Sequence, residues 1–172
     1  MKTSTGSIVF IQLCAFSVFT FGLIFTGGCT APNSSIEVQQ TPTGSLSKYN
    51  IISVEVTTKD LDFDEKEIDQ LTGSILAGLR KSARFDKVYA ASFSDENDAD
   101  LKLSVVIRFV EAVNYKGVQS IETSLALTDS GNGETLASAF VNSNSGWALF
   151  GGKMTNAIVK LRDQIVDFVT KP

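Results

Sequence analysis

The residue types that carry most enzyme chemistry are sparse in this 172-residue chain. It has no histidine, which removes the commonest general base and the commonest zinc ligand. Its two cysteines are Cys14, inside an apolar run, and Cys29, just after it. Cleavage before Cys29 would leave one thiol, at the new first position. No internal disulfide and no thiol nucleophile would then remain in the folded part. The segment "GWALFGGKMT", Gly146 to Thr155, has the strand-to-helix context of a phosphate-binding loop. Its spacing fails: five residues separate Gly146 from Gly152 where the motif needs four, and Met154 parts Lys153 from Thr155. Alternating acids at Asp60, Asp62 and Asp64, and at Glu96, Asp98 and Asp100, invite a calcium reading. An EF-hand loop needs glycine at its sixth position and glutamate at its twelfth. From Asp60 those positions hold Glu65 and Leu71, and from Asp95 they hold Asp100 and Val106. These acids are expected instead at a helix start and in a solvated turn. Serine and threonine lack a histidine base, and no two carboxylates stand out as a pair. The expectation is a protein with no catalytic residues, no metal and no cofactor.

The glycine-rich loop has another property. Trp147, Leu149 and Phe150 stand among its glycines. They could close an edge of the core, or they could meet a partner or a membrane, since aromatic side chains bury much area with few rotamers. All three are carried as candidate partner contacts.

The elements around these residues follow from periodicity. "YNIISVEVT" puts Ile52, Val54 and Val56 at period 2, a strand with one buried face. "DFDEKEIDQLTGSILAGLRKS" places Ile68, Leu71, Ile75 and Leu79 at helical spacing behind a capping-box-like Asp64 and Glu67. Gly73 and Gly78 weaken that helix, by up to about 1 kcal/mol each against alanine, and imply close approach to a sheet. "FDKVYAASF" reads as a short strand. In "ADLKLSVVIRFVEAV", Leu101, Leu103, Val105, Ile107 and Phe109 share one face, with Arg108 and Val110 on the other. "QSIETSLALTD" and "TLASAFVNS" are two more strands, joined across Asn132-Gly133, a hairpin signal. Met154, Ile158, Leu161, Ile165 and Phe168 make a final helical stripe. The predicted fold is α+β: a mainly antiparallel five-stranded sheet, order β-α-β-β-β-β-α, with two helices packed on one face. The other face would be mixed polar and small, fit for solvent or a partner.

Ahead of this domain, Ile8 to Phe25 is almost wholly apolar. Its length lies between a signal-peptide core and a membrane span. Lys2 precedes it and no basic cluster follows to stop transfer. Thr26-Gly27-Gly28-Cys29 resembles the processing site of bacterial lipoprotein signal peptides, although Thr26 departs from the preferred leucine. The resemblance implies a signal peptide over 1–28 and lipidation of Cys29, with residues 29–47, rich in Ser, Thr, Pro, Gly and Gln, as a flexible tether. A single domain then spans 48–172. Thr30, rather than an aspartate, points by proteobacterial sorting rules to the outer membrane, facing the periplasm. The alternative is an inner-membrane anchor by an uncleaved N-terminal helix. Losing residues 1–28 removes Lys2 alone among the charges and moves the net charge from −4 to −5. That balance argues against a nucleic-acid partner.

In order, "YNIISVEV", "GLRKSARFDKVY", "DADLKLSVVIRF", "SLALTDSGNGETLASAF" and "GWALFGG" resemble a large group of bacterial lipoproteins of unknown function. At fold level the arrangement is also similar to the small α/β domain of the curli-secretion lipoprotein and to the amino-terminal domain of the Tol-Pal periplasmic protein. These resemblances imply a non-catalytic, lipid-anchored envelope protein that binds or assembles with an unidentified envelope protein. A module for a small ligand or for cell wall is the alternative, and a carboxylate hydrolase a remoter one. Fold does not carry function, so the question passes to the surface of the domain.

Overall fold

The computed structural model describes residues 32–42, 45–59, 63–91, 98–113, 118–146 and 153–171. Its first element overturns an expectation. Asn33–Gln40 lies inside the stretch read as a tether, yet it forms a strand, β1, paired antiparallel with the last strand of the sheet. The folded domain therefore includes residues ahead of Lys48. The sequence hides β1 because an edge strand buries little. In "NSSIEVQQ" only Ile36 and Val38 are apolar, and Ser, Asn and Gln dominate the rest.

The remaining elements come in the expected order. They are β2 (Ile51–Thr58), α1 (Glu65–Lys81), β3 (Lys87–Ala90), β4 (Leu101–Val113), β5 (Val118–Asp129), β6 (Thr135–Asn144) and α2 (Met154–Thr170). Among the described residues the sheet has six strands, not five, in the order β1-β6-β5-β4-β2-β3. It is mixed. β4, β5, β6 and β1 pair antiparallel in turn, whereas β2 is parallel to both β3 and β4. The parallel part follows from connectivity: α1 carries the chain from β2 to β3 in the same direction, and β4 returns on the other side of β2.

Burial explains why the elements hold. Ile52 and Val54 of β2, Leu101 to Ile107 of β4 at every second position, and Leu125 and Leu127 of β5 all face one way. Leu71, Ile75 and Leu79 of α1 and Ile158, Leu161 and Ile165 of α2 join them in one buried cluster. Both helices thus cover the same face, each fully buried Leu or Ile contributing roughly 1.5–3 kcal/mol. Asp64 caps α1, its Oδ1 accepting the Lys66 N–H at 3.3 Å. Gly133, at φ +73°, shapes the β5–β6 turn, where its N–H donates to the Asp129 carbonyl at 2.9 Å.

Two packing details differ from the sequence reading. Gly78 faces α2 rather than a sheet, since a Cβ there would stand 2.7 Å from Val166 Cγ2, while a Cβ at Gly73 would meet nothing within 4 Å. The second is a β-bulge. Ile107 pairs with Thr123, but Phe109 pairs with the very next residue of β5, Glu122. The extra residue reverses the alternation. Phe109 leaves the core face and is 48% exposed, and Val110 turns in to pack against the core.

Candidate protein-docking face

The residues that the sequence singles out as sites, Cys29, Trp147, Leu149 and Phe150, lie outside the described residues, as do Asp60, Asp62 and Glu96. Two of the remaining acids of the alternating runs do local work. Asp64 is the helix cap, and Asp100 Oδ2 accepts the N–H groups of Asn50 and Ile51, each at 3.0 Å. Among the described residues no three His, Cys, Asp or Glu side chains are grouped to hold a metal ion. No described helix is long and apolar enough to cross a membrane.

The sheet face away from the helices is built from alternate residues of the same strands that make the core. Over its middle it carries Ser104, Ser124, Ala126 and Ser138, short side chains that leave the surface low. Further along the strands, toward the start of β5, the relief rises. The bulge presents Phe109 here, and Phe140 of β6 is 40% exposed on the same face. The Arg108 guanidinium lies 5.0 Å from the centre of the Phe140 ring, a cation–π contact. Glu122 accepts a hydrogen bond from Asn142 Nδ2 at 3.3 Å, and Glu37 accepts one from Gln39 Nε2 at 2.8 Å. A depression of about 360 Å³ runs between Ser35, Glu37, Arg108, Glu122 and Phe140.

The sequence conceals this patch because Phe109 and Val110 are both apolar. A change of phase after Ile107 then leaves the alternation unbroken to the eye. A bulge that re-aims a side chain is a structural device rather than a defect, and here its effect is to place a large ring in water.

Two other concavities were candidates for chemistry. A cleft of about 740 Å³ lies between α1 and the ends of β2 and β3. Glu55 and Asp69 both line it, but Glu55 is ion-paired with Lys102 at 3.0 Å. Arg80 gives its Nε and Nη2 to the Val88 carbonyl, at 3.2 and 2.8 Å. The Tyr89 hydroxyl in its wall is buried without a hydrogen-bond partner.

The second surrounds Asp129. The Tyr49 hydroxyl donates to Asp129 Oδ2 at 2.6 Å, the Gly131 N–H donates to Oδ1 at 2.8 Å, and Lys48 Nζ stands at 3.9 Å. The Tyr49 hydrogen bond, ahead of the Gly131 N–H, holds the Asp129 carboxyl below the usual carboxylate range. Burial, with help from Asp129, pushes the Tyr49 phenol up. Arg84 completes the junction by donating to the carbonyls of Tyr49, at 3.2 Å, and of Leu46. Every strong acceptor here is engaged. The arrangement ties the 3₁₀ turn Leu46–Lys48 to the β5–β6 turn as a clamp.

Among solved structures, a PelC dodecamer from Paraburkholderia phytofirmans superposes with a TM-score of 0.63 at 14% identity, covering 80% of this chain and 98% of that one. The fold is similar to that of PelC. A second crystal form of the PelC dodecamer gives the same score and identity, over 80% of this chain and 99% of that one. The lipoprotein GNA1162 from Neisseria meningitidis is more distant, with a TM-score of 0.46 at 14% identity, over 72% of this chain and 99% of that one. No family model matches the chain, and neither does any curated protein. At these identities the likeness is one of fold.

Proposed function

We propose that the protein is a non-catalytic, lipid-anchored component of the bacterial cell envelope whose domain works by docking protein, as one member of a multi-copy assembly. The observation that carries this is the uncovered sheet face, where a bulge turns Phe109 out to solvent on the same face as the exposed Phe140, over which Arg108 lies. A chain that gained nothing from this surface would lose little by burying Phe109, and exposed aromatic and arginine side chains are the residues that dominate protein interfaces. The dodecameric state of the PelC structures of the same fold supports the multi-copy part. The resemblance of Thr26–Cys29 to a lipoprotein processing site supports the anchor, and with it an envelope location at the outer membrane facing the periplasm. Trp147, Leu149 and Phe150 remain proposed partner contacts.

Native mass spectrometry of the full-length chain, released from membranes into detergent, tests the reading. A complex of several copies is expected. A chain that stays monomeric across the accessible concentrations contradicts it.

One observation favours a second reading, a small-ligand module: the unpartnered Tyr89 hydroxyl in the wall of the cleft beside α1. Tyr89→Phe would then abolish a ligand-induced rise in Tm. If it leaves such a rise intact, that reading fails.

A further inference from the structure

We infer that the patch around Arg108, Phe109 and Phe140 is the seat of a second copy of this chain, docked face to face about a two-fold axis. The inference rests on the multi-copy reading above and names the surface that serves it.

Three features select a second copy over other occupants. The first is shape. Phe140 on β6 stands level with the short Ser124 on β5 and rises above it, so two copies can interlock with the ring of each over Ser124 of the other, as two sheets packed face to face do. The second is charge. Arg108 is the patch's cation, and Glu37 and Glu122 are its acids. Among the described residues, Arg108 makes no ion pair within its own chain. A surface carrying both signs is complementary to itself when a two-fold axis brings each sign over the other, as an isologous interface requires. The third is position. The strands run in the order β1-β6-β5-β4, with Glu37 on β1 and Arg108 on β4. A two-fold axis lying along the strands, between β6 and β5, lays β4 of one copy over β1 of the other. Arg108 of each copy then reaches an acid of its mate, and the Phe140 rings meet near the axis. A lipid surface would suit the rings but not the two carboxylates, which anionic headgroups repel.

The test uses the full-length chain in detergent, with molar mass followed against concentration by light scattering and native mass spectrometry. The wild type should show even-numbered complexes. Phe109→Ser with Phe140→Ser should raise the dimer dissociation constant about 30-fold or more, the mark of lost hot spots. Arg108→Glu alone should raise it about tenfold, by leaving each face uniformly acidic. Adding Glu37→Arg and Glu122→Arg to Arg108→Glu inverts the patch and keeps it self-complementary, so assembly should return. Lys66→Glu, exposed on α1, should change nothing. Complexes in the wild type that survive both the double-serine and the Arg108→Glu changes would overturn this surface while leaving the multi-copy reading standing. A monomeric wild type would overturn both. Failure of the inverted triple variant to reassemble, with a native circular dichroism spectrum, would overturn the charge pairing.

Discussion

A Cβ on Gly78 would stand 2.7 Å from Cγ2 of Val166, so the two helices meet where α1 has no side chain. Valine is stiff at χ1 within a helix, and Val166 cannot swing aside. Gly78→Ala should therefore destabilise the fold by about 1–3 kcal/mol, as overpacking does, despite a helix-propensity gain of up to about 1 kcal/mol. Gly73→Ala, which meets nothing within 4 Å, should stabilise by about 0.4–1 kcal/mol. Chemical denaturation of the two variants checks the pair, and stabilisation by both would mean that the helices are not in contact at Gly78.

The Tyr49–Asp129 clamp predicts a pH profile with two shoulders. Asp129 titrates below its ordinary value in the folded state, so its contribution is present above an unfolded pKa of about 4 and is lost as pH falls through the folded value. Tyr49 titrates above its ordinary value, so its contribution is complete below about pH 10 and is lost as pH rises through the folded value. Tyr49→Phe should lower Tm at neutral pH and flatten both shoulders. A Tyr49→Phe protein with the wild-type profile would remove the clamp from the account.

The bulge gives opposite expectations for neighbours in sequence. Ile107→Ala, at a fully buried position, should cost about 2–5 kcal/mol. Phe109→Ser should change the stability of the isolated monomer by no more than about 0.5 kcal/mol. Equal losses at both positions, read from urea unfolding at a dilution that favours monomer, would put Phe109 back in the core.

Cys29→Ala should abolish incorporation of a labelled fatty acid and leave an uncleaved precursor on a gel. Labelling that persists in the alanine variant would rule out the anchor.

How much of this the sequence disclosed depends on how strongly each segment is buried. β2, β4 and β5 and both helices show themselves because a single buried face imposes a regular period on their residues. β1 does not, because a half-exposed edge strand places few demands on composition, and "NSSIEVQQ" reads as linker. The parallel pairing of β2 with β4 is invisible locally, since it is set by where the chain returns. Phe109 is the instructive failure: strict alternation assigns it to the core, and only the register against Glu122 and Thr123 shows the phase reversal. Gly78 shows the same limit. Its cost to the helix is legible, but the partner that compensates is on α2, more than eighty residues away in sequence.

The central claim, that the bare sheet face docks protein and the helical layer does not, is tested most directly by cross-linking in living cells. A photo-reactive amino acid is placed at position 109 or, on the exposed side of α2, at position 163. A cross-linked species at twice the mass of the chain is expected from position 109 and none from position 163. Capture from position 163 alone, or from neither, would contradict it.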